Sequence, residues 1–163
     1  MNGDHKIYET LSALGINFDY YEHPPAPTIE IAKNYWKDIE ATHCKNLFFR
    51  NHKGDKHYLV VFECNQNLSV KWLEQMLKQG KLSFASDWRL EQFLKVKAGS
   101  VSPLSLVNDT QKNVVVFIDN NLLQADKISF HPGINTASIV LKFSDFQLFM
   151  KMSGNEYNFL KLY

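Results

Sequence analysis

Three short stretches hold residues whose types and spacing can do chemistry. Cys44-Lys45-Asn46 opens an apolar run, Leu47-Phe48-Phe49. A lysine beside such a run, turned inward, sets a cation at the edge of a core, where it can hold a phosphate or carboxylate. Turned outward, it is a solvated strand residue. Gly99-Ser100-Val101-Ser102-Pro103 contains no strong acid or base. Glycine admits backbone angles closed to other residues and leaves room for a ligand, while proline stiffens the far side. The small residues between them let N–H and C=O groups approach a bound group closely. An ordinary turn uses glycine and proline too. The third stretch is His131-Pro132-Gly133-Ile134-Asn135-Thr136. Its histidine is a candidate acid, base or positioning group, with Asn135 and Thr136 as hydrogen-bonding neighbours. Alternatively, His131 and Asn135 simply tie the turn together.

Other chemistries find less support. There is no phosphate-binding GxxxxGK[ST] loop and no GxGxxG. Cys44 and Cys64 form no CxxC pair, and Cys44 is read as a packed small hydrophobe. His43, His52 and His57 flank one hairpin without a recognised zinc spacing and are read as surface residues, so no metal and no cofactor is expected. Trp36, Trp72 and Trp88 fall at helical spacing with other apolar residues, which reads as core packing.

The elements that must position these stretches can be read from caps and periodicity. Asp4 opens a helix carrying Ile7, Leu11 and Leu14 on one face, ended by Gly15. Residues 17–22 are extended. His23-Pro24-Pro25-Ala26-Pro27 is neither helix nor central strand. Thr28 caps a short helix to about Trp36. Residues 42–50 and 57–62 are strands joined at Lys53-Gly54-Asp55. Ser69 caps a helix that Gly80 ends, and residues 86–94 form another. Residues 113–118 make a buried strand, and Asp119-Asn120-Asn121 signals a hairpin. Residues 127–130 and 136–143 are strands, Ser144 caps a last helix ending at Gly154, and residues 157–162 close the chain as a strand. Hairpins are expected to outnumber crossovers. The fold class is mixed α/β: one domain, residues 1–163, with a largely antiparallel central sheet flanked by helices.

The whole-chain numbers fit that reading. The 163 residues are 45% hydrophobic and 21% charged, a globular balance with enough length to bury a core. No apolar run is long enough to span a bilayer. No secretory leader is read, so reduced thiols and a cytoplasmic location are expected. The net charge of +1 argues against nonspecific coating of nucleic acid but leaves room for a local basic patch, for which Lys33, Lys37, Lys53, Lys56, Lys78 and Lys81 are candidates.

In order along the chain stand His23-Pro24, Thr28 at a helix start, Lys45-Asn46-Leu47-Phe48, Leu82-Ser83-Phe84-Ala85, Gly99-Ser100-Val101-Ser102-Pro103, Asp119, and His131-Pro132 followed by Asn135-Thr136. Each is weak singly; their order and spacing are specific. Together they resemble the freestanding prolyl-tRNA editing proteins, related to the editing insertion of bacterial prolyl-tRNA synthetases. The resemblance runs from about His23 to the C-terminal helix. It implies a strongly bent sheet and an aminoacyl-tRNA deacylase acting in trans on mischarged tRNA(Pro), most often alanyl-tRNA(Pro). By carry-over, Lys45 is the essential lysine, Gly99 and Pro103 mark a GxxxP loop, and His131 is the histidine of a strand-end motif. Asn46, Ser100, Val101, Ser102, Pro103, Asn135 and Thr136 are then the substrate-binding candidates. Gly133 stands where such proteins often carry a larger apolar residue, which puts pocket size in question.

An aminoacyl ester is already activated, so its hydrolysis needs a positioned water and donors for the developing oxyanion more than a strong nucleophile. The Gly99–Pro103 backbone is the expected holder, with help from the vicinal ribose hydroxyl implied by the resemblance and Lys45 anchoring the terminal phosphate or ribose. Val101, Ile134 and His131 are the expected pocket walls. The implied partners are the tRNA acceptor end, with prolyl-tRNA synthetase or an elongation factor as candidate protein partners of a monomer. Two alternatives stand beside this reading: a deacylase for cysteinyl-tRNA(Pro) or another small aminoacyl-tRNA, and a noncatalytic module that binds a tRNA end or a synthetase.

Overall fold

The computed structural model describes residues 1–163. Eight strands form one mixed sheet: β1 Asp19–Glu22, β2 Thr42–Arg50, β3 His57–Glu63, β4 Ser83–Phe84, β5 Val114–Asp119, β6 Lys127–Phe130, β7 Ala137–Lys142 and β8 Tyr157–Leu160. Five helices flank it: α1 His5–Ala13, α2 Ile29–Trp36, α3 Val70–Leu77, α4 Asp87–Leu94 and α5 Phe143–Ser153. The strand order is β1-β7-β6-β2-β3-β5-β8, with β4 also paired to β2. No helix is long and apolar enough to cross a membrane.

Several local expectations hold for the physical reasons given. Asp4 accepts from the Lys6 N–H, Thr28 from Ile31 and Ser69 from Trp72, each satisfying a donor that the first helical turn leaves unpaired. β3 and β5 are buried almost throughout and read as continuous apolar runs, as strands covered on both faces must.

The topology departs from expectation. Four pairings are antiparallel, β1·β7, β2·β3, β2·β4 and β6·β7, and three are parallel, β2·β6, β3·β5 and β5·β8. Only β2–β3 and β6–β7 are hairpins, so hairpins do not outnumber crossovers. Asp119-Asn120-Asn121 is no hairpin turn. The Asp119 carboxylate accepts from the Asn121 N–H and caps a 3-10 turn, and β5 pairs with β3 and β8 instead of β6. Two helix boundaries shift. α3 stops at Leu77 because Lys78 takes a left-handed conformation, and α5 begins at Phe143, one residue before Ser144. His57 is buried, not a surface residue, and Trp72 and Trp88 are exposed; Trp36 alone of the three tryptophans is core.

β2 organises the site. The Cys64 N–H donates to the His43 oxygen (2.9 Å) and the Asn51 N–H to the Lys56 oxygen (3.0 Å), so odd-numbered residues of β2 turn their main-chain groups to β3. Even-numbered residues face the other edge, where the Phe48 oxygen accepts from Ala85 (2.9 Å). On that edge β6 reaches only Thr42 and His43, and β4 only Phe49 and Arg50. The sheet therefore has a gap beside Cys44–Leu47.

Candidate active site

A cavity of about 270 Å³ lies at this gap. Cys44, Asn46 and Leu47 form its floor. Ile29, Ala32 and Trp36 enter from one face of α2, at the i, i+3 and i+7 spacing of a helix stripe. Gly99 and Val101 close a third side, and His131 a fourth.

Each wall is held from behind. Trp36 stacks on His43 with ring centres 4.6 Å apart, and its Nε1 donates to Ser138 Oγ (3.3 Å). Ser138 Oγ also meets His23 Nε2 (2.9 Å), while His23 Nδ1 meets the Pro24 oxygen (2.9 Å). A carbonyl only accepts, so His23 carries its proton on Nδ1 and Ser138 donates to Nε2. The loops are tied likewise. Ala26 N–H donates to the Asn135 oxygen and His23 N–H to the Thr136 oxygen, both at 3.0 Å. Gly99, at φ 86°, packs against the Pro27 main chain. Gly133, at φ 83°, packs against Asp4, which leaves little room for a larger residue there.

The residues that line the cavity carry few polar groups. His131 Nδ1 donates to the Ala137 oxygen (2.8 Å), leaving Nε2 as the free, accepting nitrogen of a neutral ring. Burial pushes the His131 pKa down, against the opposing pull of the Ala137 carbonyl, and nearby His23 and His43 lower it further. Asn46 Oδ1 is buried without a hydrogen bond. The N–H groups of Gly99 and Val101 make no hydrogen bond within the protein, whereas that of Ser100 donates to the Lys97 oxygen (3.1 Å). The lining carries no charged side chain. Cys44 lines the cavity, yet burial raises its thiol well above the ordinary range, so it supplies no thiolate. Two unbonded main-chain donors and the free His131 Nε2 around an uncharged space can hold a carbonyl oxygen on one side and an ammonium on the other.

The expected site residues thus divide. Asn46, Gly99, Val101 and His131 meet at the cavity. Ser102 and Pro103 are buried behind it, where Ser102 Oγ accepts from Leu104 (3.1 Å) and anchors the loop in a 3-10 turn. Ser100, Ile134, Asn135 and Thr136 line a neighbouring pocket instead. Lys45 lines neither. It projects from the face of β2 opposite Asn46, donates from Nζ to the Gln66 oxygen (3.1 Å), and lies 5.9 Å from the Phe62 ring centre. Sequence reasoning missed Ile29, Ala32 and Leu47 and took Trp36 only as core. The helical spacing of Ile29, Ala32 and Trp36 was the available signal.

The geometry can be set beside known proteins. Residues 23–149 match the model of the aminoacyl-tRNA editing domain. The chain is 37% identical to the prolyl-tRNA editing protein ProX of Acetoanaerobium sticklandii, over 99% of both chains. It is 31% identical to the mouse prolyl-tRNA synthetase associated domain-containing protein 1, over 93% of this chain and 91% of that one. A crystal structure of a candidate trans-editing enzyme for prolyl tRNA synthetase has the same fold, with a TM-score of 0.71 at 18% identity, covering 96% of this chain and 95% of that one. The uncharged, donor-lined cavity at the broken edge of β2 is thus set in a chain that belongs to the aminoacyl-tRNA editing domain family, the hydrolases of aminoacyl-tRNA esters.

Proposed function

We propose that this protein is a trans-acting deacylase of tRNA(Pro) mischarged with a small amino acid, alanine first. The prolyl-tRNA editing named for its bacterial relative supports the tRNA. The carrying observation for the chemistry is the meeting of unbonded Gly99 and Val101 N–H groups with the free acceptor His131 Nε2 at one small uncharged cavity that Asn46 also lines.

The ester carbonyl oxygen meets the loop N–H groups, which stabilise the charge that grows on it as water adds. The α-ammonium meets Nε2 of the neutral His131, on the side of the cavity that Asn46 also lines. The ribose hydroxyl leaves with a proton. Lys45 serves at the outer end of the substrate, after release from the Gln66 carbonyl. Trp36 and Val101 set the size limit. A synthetase pocket shaped for proline discriminates against a smaller residue by only roughly 1–3 kcal/mol, so a second, tighter sieve is the physical remedy.

The test is deacylation of alanyl-, cysteinyl- and prolyl-tRNA(Pro), side by side. Loss of alanine with proline spared is the expected result. Preferential loss of cysteine reassigns the substrate, and hydrolysis of none removes the enzymatic reading.

A further inference from the structure

The pocket beside the cavity carries a second assignment. It has a volume of about 410 Å³ and shares both loops with the cavity. Gly99 and Val101 line the one and Ser100 the other; His131 lines the one, and Asn135 and Thr136 the other. Their charges differ. The cavity has no charged lining residue, whereas this pocket has Lys95 and Lys97 against a single carboxylate, Glu91.

Its uncharged polar side chains are also free. The Ser100 main chain is fixed by its bond to the Lys97 oxygen (3.1 Å), and the Asn135 and Thr136 carbonyls by bonds from Ala26 and His23 (3.0 Å each). The side chains of Ser100, Asn135 and Thr136 make no hydrogen bond of their own within the protein, although Ser100 is only 5% exposed. Lys95 is set at the end of α4 in a left-handed conformation, with its N–H donating to the Glu91 oxygen (3.1 Å). Two ammonium groups with hydroxyl and amide donors suit an anion that only accepts hydrogen bonds.

We propose that this pocket binds the phosphodiester backbone of the single-stranded 3′ end of the tRNA while the aminoacyl group occupies the cavity. The assignment rests on the deacylase reading for its ligand. A chain of net charge +1 must grip a polyanion locally, and Lys95 and Lys97 line the pocket beside the reactive end. Glu91 opposes the grip.

The probe is an uncharged acceptor-stem hairpin ending in CCA, with binding followed by fluorescence anisotropy across a salt series. Lys95→Ala/Lys97→Ala is expected to bind about tenfold more weakly, with a log–log salt slope shallower by about 1.4, the value for two single-strand phosphate contacts. Glu91→Gln is expected to bind more tightly, a gain that damage to the fold would not produce. Removing the single-stranded end should erase these differences. In hydrolysis, the double variant should lose about tenfold more on alanyl-tRNA(Pro) than on alanyl-adenosine, which lacks internucleotide phosphates. Unchanged affinity and slope, no binding by the unaltered protein at low salt, or equal losses on both substrates would overturn the assignment. If the hairpin binds as expected but no ester is hydrolysed, the deacylase reading falls and the phosphate subsite stands.

Discussion

A Cβ placed on Gly99 would stand 2.9 Å from the carbonyl oxygen of Pro27 and 3.1 Å from its Cα. The proline segment before α2 and the loop after α4 therefore touch main chain to main chain at the cavity. Gly99→Ala adds a left-handed strain of about 1–2 kcal/mol and must also push Pro27 away. The expected outcome is a melting temperature lowered by a few degrees and a deacylation rate reduced at least about tenfold through the displaced N–H donors. A thermal melt and a single-turnover assay would check it; full activity would show that these donors do not meet the substrate.

Three histidines give the protein a predictable acid sensitivity. Burial lowers the pKa of His43, of His131 and of His57, the last to about 4, with Arg89 donating to His57 Nε2 as a further cause. Their folded pKa values lie below the unfolded 6.5, so between these values the unfolded chain binds more protons. Stability is then greatest above pH 6.5 and falls as pH drops from 6.5 towards 4, with His57 alone contributing about 3 kcal/mol. Denaturant melts at pH 7.5, 6 and 5 would show it, and His57→Phe should flatten the dependence. Activity should share an acid limb below pH 6.5 as His131 Nε2 gains a proton, and His131→Gln should remove that limb.

Lys45 and Asn46 are neighbours with opposite fates. Asn46 Oδ1 is buried and unpartnered, which costs about 1–3 kcal/mol. Asn46→Leu should raise the melting temperature while lowering deacylation. Lys45→Ala removes only a half-exposed lysine and its bond to the Gln66 carbonyl, so stability should hardly change while deacylation is abolished. Activity retained in the folded Lys45→Ala protein would end the essential role carried over from the family.

Size selection should depend on one of the two expected walls. Val101 lines the cavity and Ile134 the neighbouring pocket. Val101→Ala should let the enzyme attack prolyl-tRNA(Pro), whereas Ile134→Ala should leave the proline-to-alanine ratio within about twofold. Parallel assays on the two charged tRNAs distinguish them.

Local signals were legible in the chain, and long-range ones were not. Thr28, Ser69 and Asp4 mark their helices because a cap is a bond between near neighbours. The Thr42–Arg50 and His57–Glu63 strands were found with their hairpin for the same reason. That β5 lies parallel to both β3 and β8 depends on partners far apart in sequence, and no local pattern records it. His57 is buried by Phe93 and Arg89, again distant residues. For the site, the alternation of a strand already separates Lys45 from Asn46, whereas Ser100 parts from its loop neighbours only through the folded path of the loop. Lys95 and Lys97 went unnoticed because lysines at a helix end look like ordinary surface residues until the pocket they line is seen.

The gap beside Asn46 has one more consequence. In the proposed reading the ester carbonyl meets peptide N–H groups of the Gly99 loop, which other amino acids at those positions would also possess. Substitution cannot delete an N–H except by proline. In this reading, replacing the Val101 side chain leaves its N–H in place, whereas Gly99 is held to glycine by its φ of 86° and by the Pro27 main chain, and the side chains of Trp36, Val101 and Ile29 remain free to change. One scaffold can in this way be retuned from one amino acid to another by altering a few walls, without rebuilding the part that performs the hydrolysis.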